Sequence, residues 1–80
     1  MSRARDVVEV VARALAAKPD EVEVTEYDHR GQIVVELTMA PGELGRVIGR
    51  QGRTATAVRA LATAAADLDG QRVAVDFRDD

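Results

Sequence analysis

Near the start of the chain, Val7, Val11, Ala14 and Leu15 fall at the i, i+4, i+7, i+8 spacing of an amphipathic helix, and Lys18-Pro19 stops the run. A first helix is therefore predicted from about Arg3 to Ala17. The period then changes to two. Val22 and Val24 alternate with Glu23 and Thr25, which predicts a strand reaching Tyr27-Asp28, and the slip in alternation at Glu26-Tyr27 marks a bulge. His29-Arg30-Gly31 is a hairpin signal, and Ile33, Val35 and Leu37 form the single apolar face of a second strand that Pro41-Gly42 interrupts. Glu43 to Ile48 has an acidic start, a basic end and a following glycine, which suits a helix of one or two turns. After Gly52 the positions Ala55, Val58, Ala62, Ala65 and Leu68 restore a 3.6-residue period, and Gly70 closes that helix. Val73, Val75 and Phe77 make a last strand.

The order is α-β-β-α-α-β, without a linker, repeat or low-complexity tract. It predicts an α+β fold in two layers, a three-stranded sheet with its helices on one face, burying Val35, Leu37, Val73, Val75 and Phe77. Eighty residues are enough for one domain, taken as residues 1–80, and two layers are the natural ceiling at that size.

Composition narrows the class. Hydrophobic residues at 46% and charged residues at 31% describe an ordinary globular chain. With no cysteine, disulfides and thiolate metal sites are both excluded. The apolar stretch after Met1-Ser2-Arg3-Ala4-Arg5-Asp6 is broken by Glu9 and Arg13, unlike a signal peptide or a membrane span, so the expected location is cytoplasmic, with no membrane partner. The net charge of −3 argues against a nucleic-acid partner until its distribution is considered. Arg46, Arg50, Arg53 and Arg59 stand in a stretch that meets no acid before Asp67; subtracting their four charges from the total leaves −7 on the rest. A basic segment on an acidic body can hold one strand locally while the body repels non-specific binding. The same four arginines are also compatible with a merely solvated helix surface.

Candidate chemistry concentrates at Gly49-Arg50-Gln51-Gly52, a Gly-x-x-Gly step between two helical segments. Without Cβ atoms the backbone can approach a bulky anionic polymer, and Gly49 can take the positive φ that ends a helix. Gly52 then opens another helix whose free amides and positive dipole end favour a phosphate, amid Arg46, Arg50 and Arg53.

With its flanks, Arg46-Val47-Ile48-Gly49-Arg50-Gln51-Gly52-Arg53-Thr54 resembles the signature of a KH domain, whose G-x-x-G loop clamps about four nucleotides of single-stranded nucleic acid. The element order is similar to the type II variant, and length, order and motif together resemble the small stand-alone bacterial KH proteins of the KhpA (YlqC-like) family. The resemblance implies single-stranded RNA binding as a regulator of RNA-chaperone type, without catalysis, cofactor or small-molecule substrate. It implies that Gly49 and Gly52 admit the sugar–phosphate backbone, that Arg50 and Gln51 project from the loop tip, and that Arg46, Arg53 and Thr54 flank them. Val47, Ile48 and Val58 divide between core and groove wall. Ala55 stands where many KH domains carry a large aliphatic residue, so the groove floor is shallower or differently filled. Arg59 falls too far round its helix to be placed in the groove. The two aromatics, Tyr27 and Phe77, lie on strands remote from the loop in sequence, so base stacking is expected to be largely missing.

Weak binding by one domain favours pairing, with a second copy or with another KH-type RNA-binding protein. The helix after Gly52 is apolar almost all round, and Ala57, Ala60, Leu61 and Ala64 on its outer side are the expected homodimer contact. Alanine is also the best helix former, which accounts for the small residues without an interface, though not for Leu61. A second functional reading is a protein-interaction or dimerisation module on a KH scaffold, with RNA contact incidental.

Other sites fail on spacing. Gly45 to Thr54 lacks the G-x-x-x-x-G-K-[ST] pattern of a P-loop, and His29, the sole histidine, sits at a turn. Gly45-x-x-x-Gly49 is not a membrane dimer motif beside Arg46 and Arg50. No metal ligand set and no nucleophile or acid–base pair is expected.

Overall fold

The computed structural model describes residues 1–78; residues 79 and 80, the end of the expected domain, lie outside the described residues. Helix α1 (Arg3–Leu15) leads through a short 3-10 turn at Pro19–Glu21 into strands β1 (Glu23–His29) and β2 (Gln32–Thr38). Helix α2 (Leu44–Ile48), a 3-10 turn at Arg50–Gly52, helix α3 (Arg53–Leu68) and strand β3 (Arg72–Arg78) follow. The order α-β-β-α-α-β is the predicted one. The sheet runs β1-β2-β3, with β1 antiparallel and β3 parallel to the central β2.

Strand registry explains the layering. Val24 pairs with Leu37, and Ile33, Val35 and Leu37 pair with Val73, Val75 and Phe77, so one face of all three strands is apolar. Helices α1 and α3 cover that face. Leu37, Val35, Val8, Val47 and Val58 are fully buried there, each worth about 1.5–3 kcal/mol relative to exposure. The opposite face carries Glu36, Asp76 and Arg78, with Arg78 in ion pairs to both acids.

Several local expectations are corrected. The buried stripe of α1 is Ala4, Val8 and Ala12, one position from the predicted Val7, Val11, Ala14 and Leu15, of which Ala14 and Leu15 are exposed. Apolar residues cover more than one side of this helix, so the period alone does not set its phase. Contacts at the ends set it: Ser2 Oγ accepts from the Arg5 amide and, with its own amide, donates to Glu26, while Arg5 Nε donates to the Val24 carbonyl. The helix also stops at Leu15 and not Ala17. Ala16 is already extended, and the Ala17 and Lys18 amides donate to the buried Glu43 carboxylate, which draws the chain out of the helix before Pro19. Finally, no bulge interrupts β1, whose pairing with β2 is continuous from Glu23 to His29. Glu26 occupies an inward position and breaks the alternation, because its partner is the Ser2 cap and not the apolar core.

In α3 the buried residues are Ala55, Val58, Ala62, Ala65 and Ala66, whereas Leu68, expected in the stripe, is 75% exposed. Val73 and Phe77 are half-buried, not fully buried as expected, because β3 is an edge strand.

Candidate nucleic-acid interface

The loop between α2 and α3 is built from backbone that few residues tolerate. Gly49 closes α2 with φ 74°, its amide donating to the Gly45 carbonyl at 2.9 Å. A Cβ there would meet Thr54 Oγ1 at 2.3 Å and Thr54 Cβ at 2.8 Å. Gly49 is thus required by the packing of the loop against α3, in addition to any approach from outside. Gly52, at φ 72°, stands at the N-cap of α3, and a Cβ on it would meet nothing within 4 Å. Between them Gln51 holds φ 57° and ψ 25°, a left-handed conformation that costs a non-glycine residue on the order of 1 kcal/mol or more.

These conformations leave backbone donors without partners. The Gly52 amide bends back to the Gly49 carbonyl and the Arg53 amide to that of Arg50, whereas the Arg50 and Gln51 amides find no acceptor among the described residues. No side chain caps α3, so the positive end of a sixteen-residue helix is uncovered beside them. Arg50, Gln51 and Arg53 are exposed, and Arg53 Nη2 donates to Gln51 Oε1 at 3.3 Å. Among the described residues no ion pair involves Arg50, Arg53 or Arg59. The result is a turn that brings two unpartnered amides together with guanidinium groups that have no carboxylate partner among the described residues.

The remaining candidates sit differently. Arg46 is 3.6 Å from Glu43, which offsets part of its charge. Val47 is 0% exposed and supports the loop from the core, so it offers no groove wall. Ile48 and Thr54 are half-buried, Thr54 lying against Gly49. Val58 belongs to the core, and Ala55 is buried at its edge.

Two residues set aside on sequence grounds are brought together. The Arg59 guanidinium stands over the Phe77 ring, 4.7 Å from its centroid, and donates through Nε and Nη2 to the Val75 carbonyl at 3.4 Å. Strand β3 leaves the C-terminal end of α3 and returns along it, which carries Phe77 back toward the loop; sequence separation hid this. Arg59 lies seven positions beyond Gly52, about 10 Å along the helix axis.

The expected dimer residues Ala57, Ala60, Leu61 and Ala64 are all exposed on the single chain. Among the described residues no helix is long and apolar enough to cross a membrane.

Comparison with known proteins gives the family and the fold. A family model described as KhpA/KhpB, KH domain, matches residues 5–77. The chain is 43% identical over 77 residues to the RNA-binding protein KhpA of Aquifex aeolicus, covering 96% of this chain and 98% of that one. It is 45% identical over 72 residues to the RNA-binding protein KhpA of Caldanaerobacter subterraneus, covering 90% and 96%. Among solved structures, Aquifex aeolicus Era bound to GDP and aluminium fluoride superposes with a TM-score of 0.63 at 19% identity. That match covers 92% of this chain and 29% of the Era chain, and it shows the fold alone.

Proposed function

The chain belongs to the KhpA/KhpB family of KH domains, a family without enzymatic activity, and from that premise we propose that it binds single-stranded RNA through the turn at Gly49–Gly52. The observation that carries this reading is the pair of unpartnered Arg50 and Gln51 amides at the uncapped start of α3, flanked by Arg50 and Arg53. A phosphate placed there gains donors, dipole and charge together. Gly49, Arg50, Gln51, Gly52 and Arg53 make the contact; Arg46, Ile48 and Thr54 flank it, and Val47 fixes it from below. A single strand follows the turn, since the narrow major groove of an A-form duplex would shut the side chains out.

Self-association completes the reading. Arg3 pairs with Asp69, so the start of α1 lies at the end of α3 and the two helices run antiparallel. Arg5 reaches β1 and Arg59 reaches β3, which places Val10 and Leu61 on the remaining outward side of the two-helix layer. Val10 is 69% and Leu61 52% exposed. Ala57, Ala60 and Ala64 extend this surface, which a second copy or another KH-type chain would cover.

The direct test replaces Arg50 and Gln51 together by Asp. The double variant should keep its unfolding midpoint within the ±0.5 kcal/mol of a surface change and lose single-strand binding. Wild type should weaken with salt at a log–log slope near −0.7 per phosphate contact. Unchanged affinity in a folded double variant removes the turn from the interface and leaves the protein-interaction reading.

A further inference from the structure

We propose that the solvent-facing side of the Arg59 guanidinium, held over Phe77 and tethered to the Val75 carbonyl, is a stacking platform for one unpaired nucleobase of the strand whose phosphates enter the glycine turn. The inference rests on the proposed function and adds the base-contacting element that the turn lacks. A phosphate cradle carries no grip on the bases, and the loop has no aromatic residue. Unstacked bases bind aromatic rings or guanidinium planes. Among the described residues, the one guanidinium seated over a ring is Arg59 on Phe77.

Its placement fits the strand's path. Arg59 projects from α3, the helix whose first turn faces the phosphate, and lies over β3, the open edge of the sheet. One side of the guanidinium faces the ring, and the residue as a whole is exposed. It also carries no competing carboxylate among the described residues, since Asp76 and Glu36 are taken by Arg78.

The side chain is positioned beforehand. Its two hydrogen bonds, at 3.4 Å each, are too long to be a strong structural clamp, yet with the ring they restrict a long side chain to one place. A base arriving there orders little that is not already ordered.

The experiment compares a short single-stranded oligoadenylate with the same oligonucleotide carrying abasic riboses. Binding is measured for wild type, Arg59→Lys, Phe77→Leu and the Arg50→Asp/Gln51→Asp variant, each checked for cooperative unfolding. Arg59→Lys keeps the charge and loses the planar face. It should weaken binding to the oligoadenylate by about tenfold, leave the abasic affinity unchanged and preserve the salt slope. Phe77→Leu, which keeps the core apolar, should act in the same direction. The loop variant should weaken both oligonucleotides.

Equal affinity of Arg59→Lys and wild type for the oligoadenylate overturns the platform while leaving the turn intact. An equal loss on both oligonucleotides makes Arg59 a phosphate contact and also overturns it. Unchanged binding in the loop variant overturns the turn as the phosphate site, however Arg59→Lys behaves. Failure of wild type to bind either oligonucleotide overturns both.

Discussion

Two independent constraints meet at Gly49, a positive φ and the proximity of Thr54, whereas only the first acts at Gly52. Their substitutions should therefore separate. Gly52→Ala adds a Cβ to open space in a left-handed conformation and should cost about 1–2 kcal/mol. Gly49→Ala adds the same strain and drives a methyl against Thr54 and the backbone of α3, so it should cost about 3 kcal/mol or more. Urea unfolding of the two variants checks the ranking, and equal losses would show that the turn yields around Thr54. The sequence reveals both glycines but not this difference, because a motif records which positions lack a Cβ and says nothing of what the missing atom would strike. Nor does it reveal Gln51, a non-glycine residue held at φ 57° within the turn.

At the scale of elements, α1 is tied to β1 by Glu26, which accepts from the Ser2 amide at 2.8 Å and from Ser2 Oγ at 2.9 Å. The hydrogen bond from the Ser2 amide holds the Glu26 carboxyl below its ordinary 4.5, against the opposing effect of burial. Because the folded value is the lower one, the stabilisation is fully present above the unfolded value and is lost as pH falls through the folded one. Wild type should exceed Glu26→Gln in stability at neutral pH by about 1 kcal/mol. The gap should close below pH 4.5, and thermal melts of both proteins across that range measure it. A gap that persists in acid would assign the tie to shape and not to charge. The elements themselves were legible, since the alternation in Ile33–Leu37 and the period from Ala55 to Ala65 each have one physical reading. What escaped was phase and position. Val8 and not Val7 faces the core, Glu43 ends α1 from beyond the hairpin, and Phe77 reaches Arg59, each through a contact between residues distant in sequence.

For the whole molecule, the outward apolar surface around Leu61 and Val10 sets the expectation for assembly. Since Leu61 is 52% exposed, Leu61→Arg should leave the monomer's stability within about 0.5 kcal/mol while shifting sedimentation from dimer to monomer and weakening RNA binding through lost avidity. A wild-type chain that sediments as a monomer would free this surface from that role. The parallel pairing of β2 with β3 has a different consequence, in time. Neighbours in that pair are separated by residues 39–71, whereas β1 and β2 are joined by a tight turn at Arg30-Gly31. Loop closure makes the distant pairing slow. The hairpin should form early and β3 dock late, so Val75→Ala should mainly speed unfolding while substitutions at Ile33 slow refolding, as stopped-flow chevrons would record. A strand bridging α3 and β3 would then grip the last contact made and the first to break, and would lengthen the lifetime of the folded chain without hastening its birth.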